Sequence, residues 1–432
     1  MKRCSLLCFA FLFFVFSFLD MTAQPMADSN YTPLVGNVTL YKNGVELEPP
    51  VLTLGGDDRL LLRFDILDAE AGYYRYHLRH CDSRWQPDDM EPYEFVNGFD
   101  EGPIDNYNSS FTTLTDYVNY YQYLPVGTSR LLLSGNYVVT VTPEDYPDSI
   151  LLCRRFCVTE EALKADLQLA SPYDNEAVLQ RREADVYLSA ATVIGRGATN
   201  PAPYLPPLTL NPDYFRVVVQ QNGRRDLTRE LPFAGYDGSA LAYRHRPENI
   251  FPCGNRFRWF DISNLRTAMY NVCQIKEYGG ERFAILCPLE NRARKPYLTY
   301  TSLNGGMKVN VWDRTNKQTE ADYVYVNFAL PVERPYLDGN IYVVGDLTQW
   351  TLDERSRMTY NPDIRAYTLR LFLKQGYYSY QLLFLPTGAS QPLTATLEGD
   401  HFETPNTYFL YVYYRTPNDR HDRLVAYKRI DS

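Results

Sequence analysis

An excess of positive charge is what this 432-residue chain most plainly lacks, since 43 Lys and Arg face 52 Asp and Glu for a net charge of −9. Phosphate backbones and anionic lipid surfaces are held by surplus Lys and Arg, so nucleic acid and acidic membranes are excluded as expected partners. Histidine is scarce, at five residues, which leaves little material for imidazole chemistry. There is no GxSxG elbow, no HExxH helix signature, no GxxxxGK[ST] phosphate loop and no strand-to-helix GxGxxG. The common hydrolase, metalloprotease and nucleotide-dependent chemistries therefore have no foothold. Beyond residue 19 no apolar run approaches the roughly 20 residues of a membrane-spanning helix. Eight cysteines are too few for a disulfide-dense scaffold. No repeat of roughly 34 or 40 residues suggests a solenoid.

What is present begins with an export signal. Lys2 and Arg3 precede an uncharged apolar stretch, residues 6–19, and Met21-Thr22-Ala23 supplies small residues ahead of Gln24. That order predicts a secretory signal over residues 1–23. Its removal takes Lys2, Arg3 and Asp20 and moves the net charge from −9 to −10. Six cysteines remain, at 81, 153, 157, 253, 273 and 287. Six allow about 15 connectivities; Cys153 and Cys157 lie too far apart on one extended strand to pair, and the favoured local pair is Cys253 with Cys273.

Tyrosine is abundant, at 37 residues, and much of it alternates with aliphatic residues. A period of two puts such side chains on opposite faces of a strand, as in YVYVNFAL at 323–330 and GYYSYQLLF at 376–384. The chain is expected to be all-β and multi-domain, with immunoglobulin-like β-sandwiches in three blocks after the signal. The first, 24–160, carries strand candidates at 38–42, 59–66, 73–79, 136–142 and 150–158. Between its third and fourth strands lies a polar and aromatic stretch, 82–130, long enough to be functional or to hide further strands. A helical turn at 159–164 is expected to link it to the second block, 165–290, with strands at 165–170, 184–193, 214–221 and 239–244. The proline-rich run 201–212 is read as a loop between strands. The third block, 297–432, shows strands at 307–312, 323–330, 340–345, 366–373, 377–384 and 407–414.

Chemistry is hard to find. His77-x-x-His80-Cys81 resembles a metal-ligand cluster, but on a strand positions 77 and 80 face opposite ways. Asp57-Asp58, Glu91 with Glu94, and Asp100-Glu101 are acidic clusters of the kind found in solvated turns. A glycosidase would need two facing carboxylates about 5–10 Å apart, which no spacing here demands. No catalytic residue, cofactor or metal site is expected. NIYVVGDLTQW at 340–350, with Met358, Tyr367 and KQGYYSYQ at 374–381, resembles the glycogen- and starch-binding immunoglobulin-like modules, which implies Trp350 as a sugar-stacking residue in an alternative, α-glucan-binding role.

A second resemblance spans the mature chain. GYYRYHLRHCDSRW at 72–85 is followed by Pro92-Tyr93-Glu94, Gly98-Phe99, Ile104, Tyr107, Tyr120, Leu124-Pro125 and Ser134-Gly135-Asn136-Tyr137. With FPCGNRFRWFD at 251–261, Asn304-Gly305 and VYYR at 412–415, this order resembles the type IX secretion system plug protein family, once described only as a Bacteroidota domain of unknown function. The resemblance implies a non-enzymatic periplasmic protein, a monomer when free and associated with the outer membrane. It would bind the outer-membrane translocon barrel of that system and occlude its pore. Because Tyr and Trp are enriched at interface hot spots, the expected partner-facing surface is the aromatic segment 86–125, with Tyr93, Phe95, Phe99, Tyr107, Tyr117, Tyr120 and Tyr121 as contacts.

Overall fold

Alternating apolar residues become half-buried strands through most of the chain, and they assemble around three separate cores. The structure, a computed structural model, describes residues 26–68, 70–173, 180–190 and 207–432. The signal expected at 1–23 lies outside the described residues, as do the end of the 184–193 strand and the first half of the 201–212 loop. The architecture is all-β, organised as multiple sandwiches.

The first core lies between two sheets. One runs in the order Ser29–Asn30, Leu152–Thr159, Gly135–Pro143, Tyr74–Cys81, Glu101–Pro103; the other runs Val35–Lys42, Leu60–Ile66, Val118–Leu124, Tyr107–Ser109. Leu62, Phe64, Tyr76, Tyr120, Tyr137 and Phe156 interdigitate between them. Each such side chain contributes about 1.5–3 kcal/mol on burial. The second core packs the sheet of Leu163–Ala170, Arg181–Ala190, Ala240–Tyr243 and Gly235–Asp237 against that of Thr228–Leu231, Phe215–Gln221, Thr407–Tyr414 and Arg423–Asp431. The third core is enclosed by strands from Arg258–Asp261 to Gly376–Pro386, with Phe260, Phe328 and Tyr380 in mutual ring contact.

Strand pairing crosses the expected boundary between the second and third blocks. Phe215–Gln221 pairs with Thr407–Tyr414, whereas Arg258–Asp261 pairs with Gly376–Pro386 and Glu281–Leu286 pairs with Tyr323–Pro331. The apolar faces of 407–431 thus complete the second core, and those of 258–286 complete the third. The helical turn expected at 159–164 does not form. Thr159 ends one strand and Leu163 begins the next, while Glu160 and Ala162 donate their backbone N–H groups to Leu424 and Val425. Cross-strand hydrogen bonds there satisfy the backbone better than one isolated turn would.

The disulfide also differs from expectation. Cys273 bonds Cys287, with Cα atoms 4.8 Å apart, because the hairpin pairs Val272 with Leu286 and its register shifts at Cys273, which lies diagonally from Cys287. Cys253 is instead a buried free thiol, and burial pushes it up to about 12. Cys81, Cys153 and Cys157 are likewise buried and free.

Buried polar contacts fasten the cores together. Lys374 Nζ lies 2.6 Å from Asp65 Oδ2, with both side chains inaccessible to solvent. The same carboxylate accepts from Tyr323 Oη (2.7 Å) and Asn119 Nδ2 (2.7 Å), and the ammonium also donates to Gln318 O and sits 4.0 Å from the Tyr117 ring centre. This cluster joins the first core to the third. Between the first and second, Arg423 grips Glu160 through two hydrogen bonds of 2.9 and 2.7 Å, and Tyr413 Oη donates to Asn136. Arg224 links the second to the third through Thr394 and Gln381.

Two outcomes follow. Truncating one member of the Asp65–Lys374 pair strands a buried charge, which costs about 3–5 kcal/mol. Lys374→Met should therefore lower stability in urea unfolding far more than Asp65→Asn plus Lys374→Met together. His421, in the turn between the last two strands, is pushed down to about 4, first by burial and then by the neighbouring His80. Between pH 6.5 and 4 the unfolded chain binds the proton that the folded chain refuses, so this contribution to stability is present above pH 6.5 and is lost on acidification. The loss is on the order of 2–3 kcal/mol by pH 4. Urea midpoints measured against pH should fall more steeply for the native chain than for His421→Gln.

Candidate functional site

The stretch 82–130 is neither a loop nor a single surface. It enters as the one-turn helix Pro92–Phe95, whose start is closed by reciprocal hydrogen bonds between Glu91 and Glu94. It next lays Val96–Asn97 against Arg130–Leu131 and adds Glu101–Pro103 to the edge of one sheet. Tyr107–Ser109 and Val118–Leu124 then cross to the other sheet. The seven aromatic residues expected as contacts divide accordingly. Tyr93 is 76% exposed, Phe99 69% and Tyr107 49%. Tyr121 is half-buried, with the Arg63 guanidinium stacked 4.7 Å from its ring centre.

The other three are internal, which corrects their assignment to the surface. Phe95 packs in the first core because it is the one inward residue of the short helix. Tyr120 stacks on Phe64 and its hydroxyl donates to Gly72 O. Tyr117 is 1% exposed, and its hydroxyl donates to Ala321 O at 2.8 Å. Period-two alternation assigns alternate residues to opposite faces but does not say which face is covered. Phe111 and Leu114, passed over in the sequence, are exposed on the connection between Tyr107–Ser109 and Val118–Leu124. That connection is fixed from below, since Phe111 N donates to Thr319 O and the N–H groups of Leu114 and Thr115 donate to the Asp322 carboxylate. Tyr93, Phe99, Tyr107 and Phe111 are thus exposed rings on well-anchored backbone, an arrangement that docks a partner with little loss of conformational freedom.

The three cores meet at a cavity of about 960 Å³. Its walls carry Trp85, Arg154, Arg225 and Trp350. Residues 26–30 lie along it: Met26 N donates to Trp85 O, Arg155 N to Asp28 Oδ1, and Asn30 N to Gln349 Oε1. Trp350 is half-buried here and not presented as an open platform. Its Nε1 donates to Asp346 Oδ1 (2.8 Å), its ring meets Phe257 edge-on, and a Cβ placed on Gly305 would lie 2.3 Å from it. Burial raises the Asp346 carboxyl to about 6, against the indole hydrogen bond that lowers it.

The acidic and histidine clusters read from the sequence are mostly satisfied by neighbours. Asp58 pairs with Lys42, and Glu101 with Arg75 and His77. His80 is buried on the opposite face from His77, between Asp88 and Ser134 O. One further cluster is assembled only by the fold. Glu183, Asp185 and His245 bring their ligand-type atoms within 4.8 Å of one another. An E-x-D pair on one strand face was readable, but the histidine 60 residues away was not. Among the described residues no helix is long and apolar enough to cross a membrane.

Packing predicts the outcome at Trp350. Trp350→Ala should cost about 2–4 kcal/mol in urea unfolding, while retention of the native chain on an α-glucan affinity gel should equal that of a non-binding control.

Comparison with known proteins adds three findings. Residues 35–160 match the family model of the type 9 secretion system plug protein first domain. No curated protein matches the chain. Among solved structures, a hypothetical protein from Parabacteroides merdae is 28% identical and superimposes with a TM-score of 0.88, over 94% of this chain and 99% of its own. A serine-rich repeat adhesion glycoprotein from Streptococcus agalactiae aligns at 11% identity over 50% of this chain and 84% of its own, with a TM-score of 0.13 that carries no structural argument. The first sandwich, with the exposed aromatic rings it displays, thus coincides with the segment that matches the first domain of the type 9 secretion system plug protein.

Proposed function

We propose that this protein is a non-enzymatic periplasmic plug that binds the outer-membrane translocon barrel of the type IX secretion system and occludes its pore. The observation that carries the reading is the plug-domain match over residues 35–160, which contains Tyr93, Phe99, Tyr107 and Phe111, all exposed. The mechanism is steric. A stopper must resist deformation, and three cores joined by buried ion pairs supply that stiffness. Aromatic rings anchor such contacts because they bury much area with few rotatable bonds. Export by the N-terminal signal and residence at the periplasmic side of the outer membrane belong to the same proposal.

Affinity capture with the tagged mature chain from native outer-membrane extract tests it. Recovery of a very large β-barrel is expected, and capture of no barrel would sink the reading. Joint replacement Tyr93→Glu, Phe99→Glu and Tyr107→Glu should reduce recovery at least ~10-fold, a loss of about 1.4 kcal/mol. The matched control Tyr236→Glu with Tyr278→Glu, on strands outside residues 35–160, should leave it unchanged.

A further inference from the structure

Glu183 and Asp185 stand two residues apart on the strand Arg181–Ala190, on the face opposite the core residues Ala184 and Val186. Such positions are ordinarily solvated, yet these carboxylates are 0% and 6% exposed. Glu183 has partners: Oε2 accepts from Tyr173 N, and Oε1 from both His245 N and His245 Nδ1, the last at 2.9 Å. Asp185 is less well served: its Oδ1 is buried with no hydrogen-bond partner, and its side-chain contact is with the like-charged Glu183. The neighbouring cation, Arg244, is turned toward Tyr187 Oη at 3.2 Å and Asp237 at 3.9 Å. His245 has φ of 55°, a left-handed conformation that histidine adopts more readily than most residues. It brings the ring back over Glu183 and leaves it open to solvent on its outer side.

Two carboxylates driven together out of water, one with an orphaned oxygen, lack the cation that would make the arrangement favourable. We propose that Glu183, Asp185 and His245 bind one divalent transition-metal ion of the zinc class. One imidazole nitrogen and two carboxylates suit zinc or its neighbours, while calcium prefers six to eight oxygens. Zinc bonds of about 2.0–2.2 Å require ligand atoms about 3–3.5 Å apart, inside the observed 4.8 Å limit and within reach of small side-chain rotations. Solvent reaches the site past His245 and would complete the coordination. The ion would tie the residues after Ala240–Tyr243, and the chain at Tyr173, to the strand that centres the second core. The site is independent of the barrel-binding face.

The mature chain, freed of any tag and stripped with EDTA, is titrated with ZnCl2 by calorimetry, with CaCl2 and MgCl2 alongside. One zinc per chain at micromolar affinity or tighter is expected, with a rise in melting temperature on zinc addition. Asp185→Asn, which keeps shape and removes the like-charge contact, and His245→Ala, on an exposed side chain, should each weaken zinc binding at least ~10-fold and abolish the thermal shift while remaining folded by circular dichroism. Absence of saturable zinc binding would mean that the two carboxyls share a proton instead. That result, unchanged affinity in His245→Ala, or preference for calcium would each overturn the proposal.

Discussion

The pairing of Asp65 with Lys374 in a water-free setting is the constraint on which the arrangement of the molecule rests. Neither charge can be left alone there, and 309 residues of chain separate them, so the first and third cores must meet in one register for both to be satisfied. Burial draws the Lys374 ammonium toward its neutral form, and the adjacent carboxylate opposes that. Such a pair adds little net stability over a well-packed apolar substitute. Its contribution is selection: a slipped or rotated interface leaves a charge without a counter-ion. Tyr117, Tyr323 and Asn119 finish the coordination, so three residues of aromatic or amide type are committed to interior work in a region otherwise rich in surface rings.

The same logic holds where the second core meets the other two. Glu160 with Arg423, and Arg224 with Thr394 and Gln381, are contacts between cores, each buried and each directional. Residues 26–30 complete the junction by touching the first core at Trp85 and Arg155 and the third at Gln349. The cavity lies where the three sandwiches meet, and the half-buried Trp85 and Trp350 stand in its wall.

Much of the fold was legible because period-two alternation is local. The strands near 323–330, 366–373, 376–384 and 407–414 could be marked from their own residues. Partner choice was not legible, since it depends on which apolar faces find each other across hundreds of residues. The split of the seven aromatic contact candidates shows the same limit: Tyr107 and Tyr120 lie on paired strands, yet one is half exposed and the other inaccessible. The expected turn at 159–164 failed for a related reason, because the donors that replaced it bond to residues 424 and 425. Glu183 with Asp185 was visible as a pair, but nothing local announces that a turn from Tyr243 returns His245 to them.

The return of Thr407–Asp431 to the second core orders events in time. In a chain that emerges N-terminus first, the sheet holding Phe215–Gln221 stays incomplete, one edge bare, until the final hairpin arrives. The third core, whose strands all lie between residues 258 and 386, is an insertion that can close before then. Loop closure across such a folded insertion is shorter in space than in sequence. The bare edge is a template for mispairing in the interval, and docking of the last two strands is what removes it.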